Sequence, residues 1–148
     1  MTQSGFIPFD ERIVDTMIGL ACAAKSHRII LAGPNSFEMF LELHRRGYPR
    51  VTTTRIISRA PCGQHDMAFI AWRAPSVRAL EATLEGLVHF LSAAGILVVW
   101  IGPHQTSVRW LRLALEKLGF RIESGTCCEN GVILFARRLD SSPLARVA

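Results

Sequence analysis

Apolar positions along this chain alternate between a helical and a strand-like spacing. Ile13, Met17, Leu20, Ala21 and Ala24 recur on one face, which predicts a helix over 10–25 with Asp10 as its cap. A short apolar run over 28–32 predicts a strand, broken by Gly33-Pro34-Asn35-Ser36. Phe37, Phe40, Leu41 and Leu43 then begin a second helix that stops at Gly47. The β-branched, threonine-rich stretch 51–57 predicts a strand, and Ala60-Pro61-Cys62-Gly63 a loop.

The second half repeats the alternation. An apolar strand is expected over 66–72. A long helix should run from a Ser76 cap to Ala93, with Val77, Leu80, Leu84, Leu87, Val88 and Leu91 inward. Gly95 ends it, and 96–101 reads as a fully buried strand. Gly102-Pro103-His104-Gln105 breaks the chain again. A helix then starts at Thr106 or Ser107 and ends at Gly119. Strands over 120–128 and 132–138 are joined by Glu129-Asn130-Gly131, and Asn-Gly between apolar strands is a strong hairpin signal. The expected class is α/β: a three-layer Rossmann-like sandwich, its sheet mostly parallel with an antiparallel C-terminal hairpin. One domain over 9–138 is expected, with tails at 1–8 and 139–148.

Composition narrows the classes. Of 148 residues, 49% are hydrophobic and 20% charged, enough apolar material for a core and too much for a disordered chain. No apolar run approaches the roughly 18 residues that span a bilayer, so no membrane association is expected. Residues 1–9 show no basic region followed by an apolar stretch, so no signal peptide is expected, and a cytoplasmic location follows. Cys22, Cys62, Cys127 and Cys128 lack the spacing of a disulfide framework and are expected as reduced, mostly buried thiols. Cys62-Gly63-Gln64-His65 has the spacing of half a zinc site without a second half, so no metal is expected.

The net charge is +5, and every basic residue except Lys25 and Lys117 is arginine. The acid-free stretch 43–65 holds Arg45, Arg46, Arg50, Arg55 and Arg59, a candidate phosphate-facing patch. Against it, Arg45 and Arg46 close a helix, where positive charge complements the dipole, and only Tyr48 supplies an aromatic. Nucleic acid is therefore not the expected partner. Both Gly-Pro turns, Gly33-Pro34 and Gly102-Pro103, fall at C-terminal strand ends, where open α/β sheets bind ligands.

The order of elements over about 9–138 resembles the class I (Rossmann-like) S-adenosylmethionine-dependent methyltransferases. A helix precedes the first strand, and Arg28-Ile29-Ile30-Leu31-Ala32-Gly33 occupies the place of that family's first glycine motif. Asp66-Met67-Ala68-Phe69-Ile70 resembles its central strand, and Leu118-Gly119-Phe120 with the hairpin resembles its reversed last strand. The resemblance also implies three glycines and two acids, of which this chain keeps only the first glycine. The glycine positions fall on Gly33, Asn35 and Phe37, and the acid positions on Leu31 and Arg55. Arginine carries donors only, so Arg55 cannot accept from ribose hydroxyls. It could accommodate a 2′-phosphate, but Gly-x-Gly-x-x-Gly is absent, which leaves an NADP enzyme a weak alternative. The family's third strand is short or missing between Ile57 and Asp66.

The candidate ligand-binding set is Gly33, Pro34, Asn35, Ser36, Arg55, Trp72, Arg73, Gly102, His104 and Gln105, with Thr106 beside it. Helix N-terminal N–H groups, two cations, an aromatic face and an imidazole suit a small anionic or nucleotide-like ligand. The rival expectation is that Pro34, Phe37 or Trp72 fills the cleft. No nucleophile–base pair is identifiable. His104 is a candidate base or a packing residue, while His27, His44, His65 and His89 are expected to be peripheral. Three functions stay open. The first is a methyltransferase-like domain that has lost ordinary cofactor binding and serves as a binding or regulatory module, without a cofactor and with a protein partner or a second copy allowed. The second is an active small methyltransferase using S-adenosylmethionine through an atypical loop. The third is a basic nucleotide- or nucleic-acid-binding module.

Overall fold

In the computed structural model, which describes residues 11–54, 63–72, 77–102, 108–128 and 131–139, the elements follow the expected alternation. They are α1 (Glu11–Ala21), β1 (Ile29–Ala32), α2 (Ser36–Arg45), β2 (Val51–Thr53) and β3 (His65–Trp72), then α3 (Val77–Val88), β4 (Leu91–Ile101), α4 (Val108–Lys117), β5 (Phe120–Cys128) and β6 (Gly131–Arg138). The six strands form one sheet in the order β2-β1-β3-β4-β6-β5. The four strands from β2 to β4 are parallel, and β6 runs antiparallel between β4 and β5.

Strand side chains alternate between two cores. Ile29, Leu31, Met67, Phe69, Val98, Trp100, Ile133 and Phe135 face one layer, built by Ile13, Val14 and Met17 of α1 and Met39 and Leu43 of α2. Ile30, Ile70, Trp72, Leu97, Val99 and Leu134 face the other, built by Leu80, Leu84 and Leu87 of α3 and Leu111 and Leu115 of α4. A sheet covered on both faces reads as continuous apolar strands, as β3 and β4 do. Each fully buried aliphatic side chain contributes about 1.5–3 kcal/mol.

Several boundaries depart from the sequence reading. α1 ends at Ala21 rather than at residue 25. Cys22 takes a left-handed φ of 53°, and N–H groups of Cys22 and Ala23 bond back to Gly19 and Ile18, which closes the helix. In α2 the inward face is Met39 and Leu43, while Phe37 and Leu41 are exposed at 65% and 53%. Of the four apolar residues that open this helix, Leu43 is buried and Phe40 packs against the core. α3 stops at Val88, not at Ala93. Leu91 pairs with His65 of β3, and the register then skips to Ile96 opposite Met67. Gly95 sits in that bulge, where a Cβ would lie 3.0 Å from the Ser92 oxygen, so it belongs to a strand irregularity and not to a helix end. Leu91 is buried in either arrangement, so helical periodicity could not tell the two apart.

The hairpin lies in the expected place. β5 and β6 pair from Phe120↔Arg138 to Cys128↔Gly131, while Glu129 and Asn130 fall outside the described residues, as do Asp10, 55–62, 73–76, 103–107 and the 140–148 tail. Cys22 and Cys127 are free and exposed, against the expectation of mostly buried thiols. Among the described residues no helix is long and apolar enough to cross a membrane, and no group of three or more His, Cys, Asp or Glu could hold a metal.

Candidate functional site

The chain leaves β1 toward β2 on one side and returns to β3 on the other, so the topological switch point lies between the C-terminal ends of β1 and β3. Gly33 sits there with φ 97°. A Cβ on it would approach the Ala71 carbonyl oxygen to 2.7 Å, so the missing side chain lets the turn after β1 pack against β3. Ser36 N–H donates to the Gly33 carbonyl at 3.1 Å, and Met39 N–H to Asn35 O at 3.1 Å, which starts α2. Gly102 follows β4 and donates its N–H to Trp72 O at 3.1 Å. The C-terminal ends of β1, β3 and β4 thus meet through the backbone at Gly33, Ala71, Trp72 and Gly102.

The side chains of the candidate set fare differently. Asn35 and Ser36 are buried, at 1% and 6% exposure, and Pro34 is exposed. Trp72, expected as a stacking face, is 5% exposed and packs in the core beneath α3 and α4. Alternation along β3 decides this, because Trp72 points to the same face as Ala68 and Ile70. Phe37 projects outward, so neither Phe37 nor Pro34 is packed into the sheet edge. Arg55, Arg73, Pro103, His104, Gln105 and Thr106 lie outside the described residues.

Asn35 Nδ2 donates to Glu38 Oε1 at 3.0 Å, placing a part-buried carboxylate beside the Gly33 turn. Glu38 was absent from the candidate set, although Asn-x-x-Glu at a helix start is a readable signal. Leu31, at the family's first acid position, is wholly buried in the core, and Thr53 ends β2 at 4% exposure. On this edge no hydroxyl or thiol is hydrogen-bonded to a histidine or carboxylate among the described residues. The arrangement can supply backbone donors and one amide–carboxylate pair.

Elsewhere charged and polar side chains do structural work. Asp66 Oδ2 accepts from Arg28 N–H at 2.8 Å, so it fastens β3 to the start of β1 at the opposite edge of the sheet. Two arginines of the basic stretch are engaged by acids. Glu42 accepts from Arg45 Nη2 at 2.6 Å and Arg46 Nε at 2.5 Å, and Arg46 also pairs with Asp15 of α1. Burial pushes the Glu42 carboxyl up, but hydrogen bonds and charge from both guanidiniums outweigh it and hold it below its ordinary range. His65, expected to be peripheral, is 8% exposed, edge-on to Phe90, with Nδ1 unpartnered among the described residues. Burial, aided by the nearby Arg28 charge, lowers its pKa against the opposing influence of the Phe90 hydrogen bond and Asp66.

No family model matches the chain, and no curated protein matches it. Solved structures do. A tRNA methyltransferase from Aquifex aeolicus superposes with a TM-score of 0.67 at 12% identity, covering 93% of this chain and 72% of that one. Magnesium protoporphyrin IX methyltransferase from Synechocystis, with bound SAH, gives 0.59 at 13% identity over 86% and 82%. A SAM-dependent methyltransferase from Aquifex aeolicus gives 0.57 at 13% identity over 87% and 89%. The fold is therefore that of the class I, Rossmann-like methyltransferases: a six-stranded, mostly parallel sheet with an antiparallel C-terminal pair and four helices among the described residues.

Proposed function

We propose that this chain is a methyltransferase-like binding or regulatory module that does not hold S-adenosylmethionine by its fold's usual carboxylate contacts. One observation carries the reading. Where β1 would present an acid, Leu31 is sealed in the core, and the one carboxylate beside the Gly33 turn among the described residues, Glu38, is hydrogen-bonded by Asn35. Ribose hydroxyls need acceptors, and a leucine offers none. Helix N-terminal donors at this edge, with Arg55 and Arg73 nearby in sequence, suit a small anionic or nucleotide-like ligand instead.

Calorimetry with S-adenosylmethionine and S-adenosylhomocysteine tests this. Dissociation constants weaker than about 0.1 mM are expected, and low-micromolar binding overturns the reading. The second reading, an active methyltransferase with an atypical loop, is favoured by the Asn35–Glu38 pair, which could turn its carboxylate to a ribose. Under that reading Glu38→Gln abolishes micromolar cofactor binding; under the first it changes nothing. The nucleic-acid reading is weakened because Glu42 and Asp15 engage Arg45 and Arg46.

A further inference from the structure

At the edge of the sheet opposite the Gly33 turn, a cavity of about 380 Å³ is lined by Ala93, Ala94, Arg121, Arg137, Arg138 and Leu139. Its arginines are placed by the strand register. Arg121 and Arg137 are direct cross-strand partners between β5 and β6, so their side chains leave the same face of the sheet side by side. Like charges so placed repel, and the fold gains nothing from the pair itself. Arg138 follows on the other face. Its Nη1 donates to the carbonyls of Val88, Leu91 and Ser92 at 3.2, 2.9 and 3.4 Å, which anchors the guanidinium at the cavity wall.

The charge balance is uneven. Glu123 pairs with Arg121 at 2.9 Å, and Arg137 lies over the Phe135 ring at 5.6 Å. Among the described residues no carboxylate is paired with Arg137 or Arg138. Three arginines therefore line a space of small-ligand size, two of them side by side on one face, with alanine methyl groups and a leucine as the remaining walls. Guanidiniums favour paired contacts to phosphate oxygens.

We propose that this cavity binds a small phosphomonoester or a dianion of like shape, with the phosphate between Arg121 and Arg137 and the carbon portion against Ala93, Ala94 and Leu139. It is separate from the site at the C-terminal edge and does not depend on how that site is read.

The test uses the full chain in a chloride buffer, titrated with inorganic phosphate and with phenyl phosphate and followed residue by residue by NMR. Saturable shifts are expected at 93–94, 121 and 137–139, with phenyl phosphate the tighter ligand because its ring meets the apolar wall. Binding should weaken from pH 7.5 to 5.5, since the second ionisation of a phosphomonoester lies near pH 6. Arg137→Gln should weaken binding about tenfold or more, and Arg137→Lys should restore only part of it. Without phosphate, Arg137→Gln should melt no lower than the parent, because a repulsive pair is removed. Arg121→Gln serves as the second variant should Arg137→Gln not fold.

Several results overturn the proposal. They are no saturation by the tens-of-millimolar range, undiminished binding in both glutamine variants, or an oligonucleotide binding these residues more tightly than phenyl phosphate. Self-association of the glutamine variants with unchanged phosphate binding also overturns it, because the arginines would then serve to keep the β5 edge from pairing.

Discussion

At the C-terminal edge of the sheet the turns are held by backbone. Gly33 packs against Ala71 O, Gly102 N–H meets Trp72 O, and Gly131 lies against the end of β4. At the N-terminal edge charged and polar side chains do that work. Asp66 fastens Arg28, Arg138 holds the carbonyls between α3 and β4, and His65 is buried beside Phe90. Among the described residues the edge at the Gly33 turn is thus joined by close backbone contacts, whereas the opposite edge is joined by polar side chains. Function in such a chain is therefore to be sought at both edges. Substitutions should act differently at the two: by steric exclusion at the first, and through charge and hydrogen bonding at the second.

The largest effect expected is at the backbone edge. A Cβ on Gly131, where φ is 133°, would lie 1.9 Å from the Ile101 oxygen, which no side-chain movement relieves. Gly131→Ala should cost more than about 4 kcal/mol, read as loss of a cooperative urea transition or a large fall in its midpoint. A midpoint within experimental error of the parent would show that the hairpin can shift and that this edge is not rigid.

Arg138→Met should be milder. It keeps the stem but leaves the carbonyls of Val88, Leu91 and Ser92 without their charged donor, a loss of about 2 kcal/mol in urea unfolding. An unchanged midpoint would mean that water replaces the guanidinium and that the N-terminal edge does not rely on it.

Cys22 tests whether backbone strain is confined to one edge. It lies in the loop that leads to the N-terminal end of β1, and it is a non-glycine residue at a left-handed φ. Cys22→Gly should raise stability by about 1 kcal/mol, visible as a few degrees in melting temperature. No gain would place the strain elsewhere.

The smallest effect is a pH slope. The folded-state pKa of His65 is lowered, so the native chain binds fewer protons than the unfolded chain as histidine titrates. Its contribution is fully present above the ordinary histidine value and is lost as pH falls through that value toward the folded one. The lowered Glu42 carboxyl acts in the same sense at more acid pH, with stability lost as pH falls through its folded value. Denaturant midpoints from pH 8 to 5 should therefore decline in the parent and flatten in His65→Leu. A parallel decline in both chains would assign the slope to other groups.

Period and punctuation in the sequence determined the order of elements, the two-sided sheet and the reversed hairpin. Alternating apolar residues and glycine stops act over a few residues, and the chain obeys them locally. The turn at Gly33 was legible for the same reason. Tertiary structure decided what local pattern left degenerate. Leu91 satisfies a helix or a strand, and only its pairing with His65 made it strand. Phe37 and Met39 compete for the inward face of α2, and packing against β1 and β2 favoured Met39. Trp72 reads equally well as a stacking platform or as core, and the pleat of β3 turned it inward. The Arg121–Arg137 pair lies 16 positions apart in the chain and exists through strand register alone, because the irregularity between Ile122 and Ser124 shifts Arg121 from Arg138 to Arg137.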